Sequence, residues 1–243
     1  MYNKRKSSTA RENEQRETDH MQDRQETGII CPNCGKESKF EMWISVNTQQ
    51  HPEMKQAVRD RSAFVFKCPE CGVETPVDYG FLYHDPDQQV MIHYVTDDAQ
   101  AKKLHEVLSD NENAKVLGIK NAGYIIRIVR SANQLADKLA VFDAELDDRI
   151  VEVYKLSALS TIHKEHPEFS LDTGEFVFYT DEEGSHKLQI LNNGEPFGSI
   201  GFNMDAYHKM ENDFIGILCD LQHDDPVIDR QTAIDLMKIL GDH

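Results

Sequence analysis

Long apolar runs, an excess of basic residues and scattered cysteines are all missing from this 243-residue chain, and each absence excludes something. Its longest apolar stretches, such as 124–126 and 214–219, fall far short of the roughly 20 residues that cross a bilayer. No transmembrane helix and no membrane partner are expected. The basic start, MYNKRKSSTAREN, has no apolar segment behind it, so it does not read as a secretory signal, and the expected location is cytoplasmic. Twenty-six Lys and Arg face 43 Asp and Glu, a formal charge of −17. A surface so acidic repels phosphate backbones, which disfavours nucleic acid as a partner.

Residues 1–27 lack apolar side chains almost entirely, and the six basic and six acidic residues up to Gly28 cancel. Such a segment cannot bury enough surface to offset its ordering entropy, so a disordered N-terminal tail is expected there. All of the net negative charge then lies in the remainder, which at 39% apolar and 28% charged residues has the composition of a globular protein.

Of five cysteines, four fall in a repeated pentapeptide, Cys31-Pro32-Asn33-Cys34-Gly35 and Cys68-Pro69-Glu70-Cys71-Gly72. Two thiolates separated by two residues can grip one cation from a tight turn. Two such turns complete a tetrahedral shell, so Cys31, Cys34, Cys68 and Cys71 are the candidate metal ligands. Proline after the first cysteine fixes φ, and glycine after the second permits the left-handed conformation by which the chain leaves the turn. A thiol–disulfide centre is the first rival, but that chemistry needs one motif opening a helix, and here two motifs lead toward strand-like sequence. Catalytic zinc is the second; it keeps an open position, and four cysteines close the shell. The expected cofactor is therefore structural Zn²⁺, with iron as the alternative for an all-sulfur site.

Along the chain, 40–46 alternates like a strand, 53–59 reads as a short helix behind Pro52, and 63–67 is a strand entering the second motif. Strands follow over 75–83 and 90–95, joined by a turn at 84–87. A helix over 99–108, a strand over 124–129, a helix over 133–142 capped by Ser131, and a long amphipathic helix over 143–166 come next. Three short strands over 176–180, 186–191 and 197–202, with Asn193-Gly194 as a hairpin signal, predict a meander followed by helices over 205–214 and 229–240. The fold class is α+β: a zinc-ribbon-like β core with an inserted helix over 28–166, and a C-terminal α+β region over 167–243.

The two C-P-x-C motifs, Trp43, Arg127-Ile128-Val129, Leu135, Leu146-Asp147-Asp148 and Glu152 to Lys155 together resemble the CpXC family over about residues 28–155. That resemblance implies a metal-binding module and no activity. Thirty-three residues separate Cys34 from Cys68, against the roughly 15 to 20 of a compact ribbon. An elaborated insertion is expected between the motifs.

Other residues carry less. Cys219 has no basic neighbour to form a thiolate and reads as core packing. His163 and His166 lack a companion ligand motif and read as a solvated face. Asp147-Asp148 and 181–183 place carboxylates on adjacent residues, which point to different sides of an element and do not make an acid/base dyad. The expected role is a zinc-binding interaction module that binds a protein partner and is not an enzyme. Its alternatives are an enzyme with a site between the two halves, and a nucleic-acid-binding ribbon using Lys36, Lys39, Lys67, Arg59 and Arg61.

Overall fold

Alternating side chains begin earlier in the chain than composition suggests. A computed structural model describes residues 23–109, 123–220 and 225–241; the expected tail lies outside them up to residue 22. Arg24 to Thr27, expected in that tail, instead form the first half of strand β1 (Arg24–Ile30), paired antiparallel with β2 (Glu37–Trp43). The reason is side-chain chemistry that apolar content does not register. Arg24 stacks its guanidinium 3.8 Å from the ring centre of Trp43, the residue opposite it, and donates to Glu41 at 3.2 Å.

The single strand expected over 40–46 is two, β2 and β3 (Ser45–Asn47). Ile44 is the joint. Its amide donates to the Asp23 carbonyl and its carbonyl accepts from Leu82, so one continuous alternation serves two different sheets. Helix α1 (Met54–Arg59), a 3₁₀ turn (Ser62–Phe64) and β4 (Val65–Lys67) follow, and β4 pairs antiparallel with β5 (Glu74–Pro76).

Strands β6 (Phe81–Asp85) and β7 (Val90–Tyr94) form the expected hairpin, but His84 and Asp85 belong to the strand rather than to the turn. Asp85 is fully buried and closes the turn from below, accepting from the amides of Asp87 and Gln88. After helix α2 (Asp98–Ser109) comes β8 (Ile125–Val129), which completes a four-stranded sheet of order β3-β6-β7-β8. The central pair is antiparallel and the outer pairs are parallel. Phe81, Tyr83, Ile92 and Tyr94 bury one face of this sheet against Leu135 and Leu139 of helix α3 (Ala132–Asp143). Ser131 caps that helix as expected, its hydroxyl accepting from the Gln134 amide at 3.1 Å.

The helix expected over 143–166 is broken at its start. Glu145 takes a left-handed φ of 56°, ending α3. Helix α4 (Asp148–Glu165) then restarts from Asp147, whose side chain accepts from the Arg149 amide at 2.9 Å. Phe142, Leu146 and Ile150 keep helical spacing straight through the turn, so apolar periodicity cannot reveal it.

Strands β9 (Gly174–Thr180), β10 (His186–Asn192) and β11 (Glu195–Gly201) make the expected meander, ordered β11-β10-β9. Asn193 and Gly194 both have positive φ, 53° and 79°, as a two-residue hairpin loop requires. Helices α5 (Met204–Asp220) and α6 (Arg230–Gly241) finish the α+β architecture. Ile150, Val153 and Ile162 of α4 share one core with Phe178, Leu188 and Phe214. A cut after residue 166 would pass through this core.

Candidate metal centre

Each C-P-x-C-G motif fills the first five places of a six-residue hairpin loop, 31–36 between β1 and β2 and 68–73 between β4 and β5. The two loops repeat one hydrogen-bond pattern. Gly35 donates to the Cys31 carbonyl and Cys31 to that of Lys36; Gly72 donates to Cys68 and Cys68 to Val73, all at 2.9 Å. Gly35 and Gly72 sit at φ of 69° and 73°. Nothing lies within 4 Å of where a Cβ would stand on either, so glycine answers a conformational demand rather than a spatial one.

The loops bring four sulfurs together, all within 4.8 Å of one another. Cys31 and Cys68, each 1% exposed, pack on Phe66 in a small core of their own, while Cys34 and Cys71 face outward. The sulfur pairs Cys31–Cys71 and Cys34–Cys68 stand 3.6 and 3.7 Å apart. A disulfide needs about 2.0 Å, so these are separate thiols. A tetrahedron with metal–sulfur bonds of about 2.3 Å has edges of about 3.8 Å. The residues therefore fit a metal ion held by four sulfurs.

Electrostatics point the same way. The Asn33 side-chain amide, 3.5 Å from Cys71 Sγ, and then the Val73 amide pull the Cys71 thiol down to about 6. At Cys34 the Lys36 amide also lowers the value, but desolvation and the three other sulfurs reverse it and push the thiol up to about 12. Like charges crowded into one place split in this way, and four thiolates so close need a cation among them to coexist.

The long spacing between the motifs has a structural reason. After β2 the chain leaves the ribbon to add β3 to the four-stranded sheet, packs α1 against α3, and returns through the 3₁₀ turn to β4.

The remaining sequence candidates do not converge on this centre. His163 bonds through Nδ1 to the Phe169 carbonyl at 2.9 Å, and His166 faces Glu168 and the Phe197 ring. Asp147 caps α4 while Asp148 turns inward, so the adjacent acids diverge as expected. Asp181 accepts from Glu183 and Ser185 in its own turn and pairs with Lys187. Cys219, in the last turn of α5, has a side chain outside the described residues. Lys39, Lys67 and Arg59 pair with Glu26, Glu74 and Asp143, and Arg61 donates to Asn133. Three of the five residues of the expected basic stripe are thus matched by carboxylates, while Arg61 meets a neutral amide.

One constellation was not grouped in the sequence, although Arg127, Asp148, Glu152 and Lys155 fall among the residues that carry the family resemblance. Arg127 makes a two-pronged bond to Asp148 at 2.7 and 2.8 Å, and Lys138 contacts Asp148 at 3.1 Å and Glu152 at 3.2 Å. Lys155 contacts Glu152 at 2.9 Å and Asp137 at 2.6 Å, and Asp137 also accepts from the Phe178 amide. Arg127, Asp137, Lys138, Asp148 and Lys155 are all buried. Burial alone would raise the Asp148 carboxyl, but Lys138 and Arg127 outweigh it and hold the group well below the carboxylate range. For Lys155 burial works against the cation, and Asp137 and Glu152 overcome it. A cavity of about 320 Å³ opens beside Asp137, Lys138, Glu152 and Lys155, between α3, α4, β9 and residues 227–230. Helical spacing supplies one signal: Glu152 and Lys155 lie three apart on one face of α4. Arg127 and the α3 residues have no such link to them.

Comparison with curated proteins and with solved structures finds no match. The family model described as CpXC protein matches residues 29–155. That span runs from the first knuckle to Lys155 and takes in all four clustered cysteines together with the six members of the buried ionic set. The chain belongs to the CpXC family.

Proposed function

We propose that Cys31, Cys34, Cys68 and Cys71 bind one Zn²⁺ as a closed structural site, and that the ribbon so clamped serves as a docking module for a protein partner in the cytoplasm. The sulfur geometry carries the metal reading: separations of 3.6 and 3.7 Å fall on the edge length of a zinc–thiolate tetrahedron. Four thiolates leave no open position for substrate, so a bound ion supplies folding energy rather than chemistry. Iron fits the same shell, and metal analysis with a visible spectrum separates the two.

Ile30 supports the docking reading. It is 70% exposed beside Cys31 at the end of β1, where ordering by the metal would hold it rigid. The pairing of Lys39 and Lys67 with carboxylates and the chain's net charge of −17 favour a protein surface over nucleic acid as the complementary partner. The test has two arms. The chain purified without chelators should contain one zinc per molecule with its four thiols protected from titration; less than that, with all four freely titratable, sinks the site. A pull-down from the native host should lose its specific partner with Ile30→Glu while metal content is unchanged; retention of the partner overturns the docking reading alone. The cavity at the junction of the two halves is the observation that favours the second reading, an enzyme.

A further inference from the structure

We propose that the cavity between α3, α4 and β9 binds a small zwitterion of the amino-acid type, its charged end on Lys138, Lys155 and Glu152 and its side chain on the apolar wall. The polar end follows from proton counting. Each lysine ammonium has three N–H donors. Lys138 donates one to Glu152 and stands 3.1 Å from Asp148 as an ion pair, and Lys155 spends two on Asp137 and Glu152. Both lysines meet the same oxygen, Glu152 Oε1, and among the described residues nothing donates to Oε2. Two cationic donors and one carboxylate oxygen are thus left over at one spot, on side chains that all line the cavity.

Charge balance selects the ligand class. Arg127, Lys138 and Lys155 are matched by Asp137, Asp148 and Glu152, and the other charged residues of the lining, Arg130 and Arg230, are matched in number by Glu175 and Asp229. A phosphate or a simple carboxylate would add uncompensated negative charge to this low-dielectric set, and an amine would add positive charge. A molecule carrying both adds neither. Its carboxylate can accept from the two lysines while its ammonium donates to Glu152 Oε2. Arg130 and Arg230 brace the backbone around the cavity: Arg130 donates to the carbonyls of Val95, Thr96 and Asp97 and pairs with Asp98, and Arg230 donates to those of Leu171 and Gly174. Away from the charges the wall is Leu156, Leu159, Phe176, Val227 and Ile228, an aliphatic and aromatic surface. The volume of about 320 Å³ lies at the small end of ligand pockets, which run from about 300 to 1,000 Å³.

Calorimetric titration of the full, metal-loaded chain with L-leucine, 4-methylpentanoate and isopentylamine tests this. L-Leucine should bind saturably, and each single-charge analogue should bind at least about tenfold more weakly, the loss expected when a buried charge is left without its partner. Glu152→Gln should weaken L-leucine and isopentylamine and spare 4-methylpentanoate, and Leu156→Trp should fill the cavity and abolish binding with metal content intact. Amide shift mapping on the unmodified chain gives a readout that needs no variant: L-leucine should perturb α3, α4 and the start of β9. No saturable binding of L-leucine, 4-methylpentanoate binding as tightly as L-leucine, or shifts confined to other elements would each overturn the proposal.

Discussion

The ribbon hairpins bury two cysteines and one phenylalanine as a core of their own, whereas the half built on α4 and β9–β11 buries eighteen apolar residues. Two-stranded hairpins are marginal in water, and three buried side chains do not change that. The larger half needs no cross-link, because its stability is spread over many contacts. With the proposed metal bound, the ribbon would concentrate its own in four sulfurs, so chemistry at a few atoms would open one region and leave the other standing.

The strongest way to break this comparison is to remove the metal proposed for the four sulfurs. Chelation, or Cys68→Ser, is expected to open the ribbon at a cost of about 10 kcal/mol, the scale of structural zinc sites. Trp43 is the sole tryptophan; on β2 of the ribbon it carries the Arg24 guanidinium over its ring and meets His51 edge-on, so its fluorescence reports that region. Amide exchange at Phe178 and Leu188, both fully buried in the larger core, reports the other. Fluorescence should change while exchange protection at those two residues persists. Simultaneous loss of both would show that the halves stand or fall together.

Next in size is Asp148→Asn, which leaves Arg127 and Lys138 buried without their shared counter-charge and should cost about 3 kcal/mol at pH 7. The pH dependence has a definite sign. The folded Asp148 carboxyl is held below its ordinary value by Lys138 and Arg127 against the effect of burial. Its contribution is therefore full above the unfolded carboxyl's value of about 4, and disappears as pH falls from there toward the folded value. Urea unfolding at pH 7 and at pH 3 should show the difference between parent and variant shrinking in acid. An unchanged difference would mean that Asp148 does not stabilise the fold through its charge.

What the sequence made legible follows the same division. The knuckles, their glycines and the Asn193-Gly194 hairpin were readable because each is a local motif whose residues dictate their own backbone. The ionic set was not readable as a set: Arg127, Asp148, Glu152 and Lys155 stood out only through the family resemblance, because Arg127, Asp137 and Lys138 reach Asp148, Glu152 and Lys155 only after β8, α3 and α4 have packed. The β2–β3 joint at Ile44 and the α3–α4 turn at Glu145 failed for another reason: apolar spacing runs through both, and a period says nothing about where the chain changes direction.

A smaller effect separates conformation from packing within the ribbon. Gly72→Ala places a Cβ in open space but at a φ of 73°, so it should cost about 1 kcal/mol through backbone strain alone. Thermal unfolding of the metal-loaded chain followed at Trp43 is the measurement. A cost several times larger would show that the loop lacks the room its geometry indicates.

The smallest expected effect tests whether the two knuckles are equivalent. Asn33 and Glu70 occupy the same place in the repeat, yet only Asn33 reaches across, its amide 3.5 Å from Cys71 Sγ. A carboxylate has no proton to donate to a thiolate, so the repeat is symmetric in backbone and asymmetric in the support it gives the sulfurs. Asn33→Ala should weaken zinc binding about fivefold, the worth of one modest hydrogen bond, and Glu70→Ala should leave it unchanged or slightly tighter. Competition with a chromophoric chelator resolves a difference of that size. Equal effects at both positions would mean that the sulfurs draw all their support from the amides of Lys36 and Val73, and that Asn33 faces Cys71 without tuning it.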